Sequence, residues 1–113
     1  MFRRLTLTLL IVLLGINPLF AWSGLFEVVN NTGFTIYWLY VSHESENEWG
    51  EDRLGADVLL DKEGFTVFLE DYPSSIFDVR VIDEDRDSYT FRSIDLDDNR
   101  VLEVVLDQLD RRR

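Results

Sequence analysis

With 113 residues, no cysteine, one histidine and a formal net charge of −11, the chain has room for one domain and no disulfide staples. The missing thiol excludes lipid attachment through a cysteine, and the acidity argues against nucleic acid or an anionic membrane surface as a partner. The fold must be held by its core or by a bound ion.

Residues 1–23 read as an export signal. Arg3 and Arg4 supply a positive start, Leu5–Leu14 is an apolar run broken only by Thr6 and Thr8, and Gly15, Asn17 and Pro18 end any helix before Ala21-Trp22-Ser23. The small residues place cleavage after Ser23, with cleavage after Ala21 close behind. As an uncleaved anchor the run falls short of the ~20 residues that a membrane span needs. The mature domain is then residues 24–113, with nine basic against 22 acidic side chains, a net charge of −13, and no membrane span. Arg111-Arg112-Arg113 reads as a solvated tail.

The mature chain is organised around Phe26–Ser42, read as a hairpin whose turn is Asn30-Asn31-Thr32-Gly33, residues that tolerate the positive φ of a tight turn. Asn30-Asn31-Thr32 is also formally a glycosylation sequon, although the turn already accounts for it. The strand that follows, Phe34–Val41, is dense in aromatic and β-branched residues. Either Phe34, Ile36, Trp38 and Tyr40 share a covered face opposite another covered face, or a bulge near Trp38 turns Ile36, Leu39 and Val41 inward together. The aromatic cluster suits core packing better than a carbohydrate or peptide platform.

His43–Asp52 is a polar loop in which Trp49 is expected to be a buried anchor beside Leu54. Short strands are predicted at Val58–Leu60, Phe65–Leu69, Ile76–Ile82, Ser88–Ile94 and Val101–Leu106. Their inward residues are Phe65, Val67 and Leu69, then Phe77, Val79 and Val81, then Tyr89 and Phe91, then Leu102, Val104 and Leu106. The fold class is all-β: an antiparallel, immunoglobulin-like β-sandwich of about seven strands. An up-and-down order gathers Asn30–Gly33, Asp61–Gly64 and Asp83–Asp87 at one end, and His43–Asp52, Glu70–Asp71 and Asp95–Asn99 at the other.

The string N-N-T-G-x-T-I-x-x-L-Y-V-S from Asn30 to Ser42, W-G-x-D-x-L-G from Trp49 to Gly55, and F-D-V-R from Phe77 to Arg80 with the acidic turn after it resemble a group of small exported bacterial proteins. The resemblance covers Val28 to about Tyr89. Its motifs are turns and anchors, so it implies an exported β domain and carries over no catalytic residue. Relatives tend to have glycine in the acidic turn, where this chain has Arg86.

One histidine and no cysteine leave nucleophilic catalysis and zinc without ligands or bases, and no Gly-rich phosphate loop is present. About ninety residues spent on a sandwich leave little room for a paired-carboxylate cleft. The expected role is a non-catalytic binding or structural domain of the bacterial cell envelope or exterior, with an unidentified partner there and no cofactor. The alternative is a calcium-stabilised domain. Asp83, Asp85 and Asp87 alternate as the first ligands of an EF-hand do, but Ser88 and Ile94 stand where its glycine and bidentate glutamate belong, so an EF-hand is excluded and a sandwich-end site is what remains. The competing reading of the same residues is a solvated acidic loop.

Overall fold

The computed structural model describes residues 21–110; residues 1–20, which hold most of the expected signal, and the terminal arginines lie outside them. Among the described residues six strands follow in order: β1 (Trp22–Asn31), β2 (Ile36–His43), β3 (Gly64–Tyr72), β4 (Ile76–Asp83), β5 (Ser88–Asp95) and β6 (Val101–Val105), with a 3-10 turn at Leu106–Gln108. They form two three-stranded sheets, ordered β3-β1-β6 and β2-β4-β5. β1 begins at Trp22, so the strand starts ahead of the boundary expected after Ser23.

Period-two alternation turns one face of each sheet inward. Phe26, Val28, Val67, Leu69 and Val104 from the first sheet meet Leu39, Val41, Phe77, Val79, Val81 and Tyr89 from the second in one core, joined by Leu54, Leu59 and Leu96 from loops. The bulge expected in the second strand is present between Ile36 and Trp38, and it turns Ile36, Leu39 and Val41 inward together.

Four expectations are corrected. Phe26–Ser42 is no hairpin: β1 and β2 belong to different sheets, and the Asn30–Gly33 turn carries the chain across the core. There are six strands, not seven, because Val58–Leu60 makes only an isolated bridge, Leu59 to Ile36, with Val58 and Leu60 exposed on either side. The sheets are not wholly antiparallel, since β6 pairs with β1 in parallel. Leu106 falls in the 3-10 turn and is exposed, leaving Val104 as the buried residue of β6.

The crossing is made possible by Asn30, which is fully buried. Its Nδ2 donates to the carbonyls of Phe34 (2.7 Å) and Leu59 (3.0 Å), and its Oδ1 accepts from the Thr32 amide (3.0 Å) and hydroxyl (2.8 Å). Its backbone amide donates to Glu63 and its carbonyl accepts from Lys62. Every polar atom of the residue is satisfied, and in the folded chain the sequon asparagine is sealed from any glycosyl donor. Asn30→Asp keeps the shape but replaces the two-donor Nδ2 by one oxygen that faces two carbonyls. Because each buried polar group left unpaired costs about 1–3 kcal/mol and a charge costs more, the variant is expected to lose about 3 kcal/mol or more. A urea midpoint within error of the parent protein would refute this role.

Candidate functional site

The acidic turn is built by the β4–β5 hairpin. The Arg86 amide donates to the Asp83 carbonyl, closing a turn, and Arg86 then sits at φ 69°, the left-handed position where a glycine costs least. Arg86 places its guanidinium over the Trp38 ring, 5.7 Å from the centroid. The structure brings Asp83, Asp85 and Asp87 together, one carboxylate oxygen from each within 4.8 Å of the others. Asp83 is buried and already engaged: Oδ1 accepts from the amides of Asp85 (2.9 Å) and Asp87 (3.0 Å), and Oδ2 from the Tyr89 hydroxyl (3.2 Å). As expected, this end also gathers the Asn30–Gly33 turn and the acidic Asp61–Gly64 turn. The Gly33 amide donates to Asp61 and the Glu84 amide to the Thr35 carbonyl.

The single histidine is not a loop residue. His43 ends β2 and is buried, its two ring nitrogens bonded to the hydroxyls of Ser45 (2.8 Å) and Ser74 (2.9 Å) and its ring set against Tyr72 and Phe77. With a hydroxyl on each side and no carboxylate to orient it, the imidazole is a satisfied structural group. A shallow depression of about 350 Å³ is lined by Glu46, Asn47, Glu48 and Gly50, where both glutamates are exposed and no low-dielectric wall surrounds them.

Trp49 corrects a further expectation. It is half-buried and lies outside the core, its ring 5.0 Å from the Arg80 guanidinium and 5.2 Å from that of Arg92. Those arginines stand on the outer side of β4 and β5, so the loop is strapped across the sheet by cation–π contacts. Removing Trp49 therefore forfeits contacts worth ~0.5–1 kcal/mol apiece at such exposed sites, not the larger amount for a buried aromatic.

Asp110 was not singled out by sequence reasoning, and it ties the end of the described chain to β5. It accepts from the Ser88 hydroxyl (2.7 Å) and from the Thr90 amide (3.0 Å) and hydroxyl (2.7 Å), while Arg80 Nε donates to the same Thr90 oxygen (2.9 Å). Burial pushes the Asp110 carboxyl upward, but these hydrogen bonds and the nearby Arg80 charge outweigh it and hold the group below 3.8. The Ser75 hydroxyl and Asp97 amide lower Asp95 in the same way. Tyr89 is pushed the other way, chiefly by burial and then by the Asp83 charge, and keeps its proton well above 10.0.

The outer face of the β3-β1-β6 sheet was also missed. Leu25 stands opposite Phe68, and Val101 opposite Glu27 beside it; all three apolar side chains are exposed, Phe68 by 69%. A sequence signal existed, since Phe68 breaks the alternation of Phe65, Val67 and Leu69. Glu27, Glu70 and Glu103 share that face, and its outward positions on the three strands include no lysine or arginine.

No protein-family model and no curated protein matches the chain. Among solved structures it is similar to the NMR structure of a protein from Eubacterium rectale, at 14% identity over 74% of this chain and 75% of that one, with a TM-score of 0.47. No helix among the described residues is long and apolar enough to cross a membrane.

The titrating groups set a pH profile. Asp95 and Asp110 are more acidic folded than unfolded, so the stability they add is complete above 3.8 and is lost as pH falls through their lower folded values. Tyr89 adds stability that is complete below 10.0 and declines as pH climbs past it. Urea midpoints across pH are expected to show both limbs, with Asp110→Asn shrinking the acid limb and Tyr89→Phe the alkaline one. An alkaline limb of parental size in Tyr89→Phe would assign it to another group.

Proposed function

We propose that the chain is an exported, non-catalytic binding or structural domain of the bacterial cell envelope or exterior. The observation that carries this is the contiguous apolar surface outside the β3-β1-β6 sheet, where Phe68, Val101 (56% exposed) and Leu25 (44%) are neighbours by register. Adjacent large apolar side chains left in water mark a surface that another molecule covers. An immunoglobulin-like β-sandwich is the architecture we infer from the two sheets and their shared core. Export is supported by the basic start and apolar run. The Trp22 indole favours cleavage directly after Ala21: it packs 5.6 Å from the Phe77 ring and donates to Asp97 (3.0 Å), contacts that cleavage after Ser23 would discard.

Expression of the full chain in a bacterial host tests both parts. The exported product is expected to begin at Trp22. A photoreactive phenylalanine analogue at position 68 is expected to cross-link an envelope component that the same analogue at Tyr37 does not. A product that keeps Met1 would refute export, and equal labelling from the two positions would refute the surface.

The clustering of Asp83, Asp85 and Asp87 favours a second reading, a calcium-stabilised domain. Oxygens on a shell of about 2.4 Å around one ion lie up to about 4.8 Å apart, so three ligands fit the observed spread. Against it, two amides and a phenol occupy three of the roughly four lone-pair sites of the Asp83 carboxylate. An ion bound only by the folded form would add about 2.7 kcal/mol at a hundredfold excess over Kd. The expected melting temperature is the same in millimolar calcium as in chelator, and a rise with calcium would establish the site.

A further inference from the structure

The two sheets treat their edges differently. The free edge of β2 is closed: Leu59 exchanges both backbone bonds with Ile36, the Leu39 carbonyl accepts from the Arg53 amide (2.7 Å), and the Leu39 amide donates to Asp52 (2.9 Å). The free edge of β5 is capped at its start by Asp110, whose amide donates to the Ser88 carbonyl (2.8 Å) and whose carboxylate accepts the Thr90 amide. On the other sheet, β6 is only five residues long and the amide of its last one, Val105, donates to Gln108 (3.0 Å). β3 is different. It runs for nine residues, and no described residue other than those of β1 pairs with its backbone from Gly64 to Glu70.

The direction of its free groups follows from β1. Glu27 gives its amide to the Arg100 carbonyl on the β6 side (2.8 Å), so Glu27 and the opposite Thr66 are not a hydrogen-bonded pair. Antiparallel pairs alternate, which assigns the bonds to Phe26–Val67 and Val28–Phe65 and leaves the N–H and C=O of Thr66 and Phe68 pointing away from the sheet. Exposed edges of this length are ordinarily blunted by proline, lysine or a bulge. The interior of β3 has neither proline nor lysine, and its pairing from Gly64 to Leu69 is unbroken; its one bulge lies at the far end, where Glu70 and Asp71 face Ser23.

Charge selects the occupant. The outer face beside this edge carries Glu27, Glu70 and Glu103 without a cation, on a mature chain of net charge −13. A second copy would bring the same carboxylates to the edge, whereas a cationic segment is attracted to it and placed in register by it. We propose that β3 accepts a fourth strand from a cationic partner: an extended segment whose apolar side chains pack beside Phe65 on the core side and whose lysines or arginines, on the outer face, lie along Phe68 and meet Glu70. Main-chain bonds to Thr66 and Phe68 supply the affinity, and alternate side chains supply the specificity. This rests on the binding-domain reading and names its partner's chemistry.

The test uses the isotope-labelled mature protein and a nine-residue peptide of alternating Lys and Val. Two comparators accompany it: the same peptide with Glu for Lys, and one with alternate backbone nitrogens methylated to remove the donors of its pairing edge. The Lys peptide is expected to move the Thr66 and Phe68 amide resonances and slow their hydrogen exchange. Its affinity should fall about tenfold as salt screens the charges, from roughly 50 mM to roughly 300 mM. Thr66→Pro is expected to abolish binding and Phe68→Ser to weaken it, and the methylated peptide tests the same edge if the proline variant fails to fold. Equal binding by either comparator, or resonance shifts confined to other strands, would overturn strand addition. So would protection of Thr66 on concentrating the protein alone, which would make the occupant a second copy. If the Lys peptide leaves β3 unmoved while the analogue at position 68 still cross-links an envelope component, strand addition fails and the binding domain stands; if both are silent, both fail.

Discussion

The structure depends on Asn30. Without disulfides, two three-stranded sheets must be held face to face by the core and by whatever ties their connections together, and the first connection is the one that decides whether β1 and β2 pair or part. The Asn30 amide supplies both donors and both acceptor sites to that decision, binding Phe34, Thr32 and Leu59 at once. Leu59 in turn exchanges backbone bonds with Ile36 and so closes the edge of β2. One buried side chain thus links the end of the first sheet to the start of the second. A buried polar group is costly unless satisfied, and because it is satisfied in one geometry only, it specifies the crossing.

The same logic explains much of the acidity. Asp52, Asp61, Asp78, Asp83, Asp95 and Asp110 each accept at least one backbone amide from a turn, bulge or edge. Asp78 shows the pattern well. It sits on β4 opposite the bulge of β5, takes the amide of Ser93, which is held at φ 54°, and pairs with Arg92. Aspartate's short side chain reaches nearby backbone donors, and its charge strengthens the bond. Composition alone reads as a soluble, repulsive surface. In the fold a large share of that charge is spent internally.

Strand positions and inward residues were legible because period-two alternation is local: Val67, Leu69, Phe77, Val79, Val81 and Tyr89 are all buried as the pattern implies. Pairing was not legible. Asn-Asn-Thr-Gly serves a hairpin and a sheet crossing equally well, and nothing in the residues of β6 distinguishes a parallel from an antiparallel neighbour. Val58–Leu60 has strand-forming residues but only three of them, flanked by Asp57 and Asp61, and it reaches a single bridge. Trp49 was misplaced because a large aromatic among carboxylates can be covered from outside the core, by arginines 31 and 43 positions further along the chain. The convergence of Asp83, Asp85 and Asp87 was visible from their alternation; that Asp83 is occupied by amides and a phenol was not.

The two outer faces give the molecule its polarity. On the β2-β4-β5 sheet, Trp49 and Trp38 lie beside Arg80, Arg92 and Arg86, and the acceptor of nearly every cation is within the chain: Thr90 for Arg80, Asp78 for Arg92, a tryptophan ring for each. Each edge of that sheet is met along part of its length by another part of the chain. On the β3-β1-β6 sheet, carboxylates and apolar side chains alternate with no cation among them, and the longest free edge lies next to them. A loop and Asp110 meet the edges of the β2-β4-β5 sheet from within the sequence. Among the described residues nothing does the same for the β3-β1-β6 sheet, so its free edge is where the proposed strand would add, and the carboxylates beside that edge favour a cationic segment over a second copy of so acidic a chain.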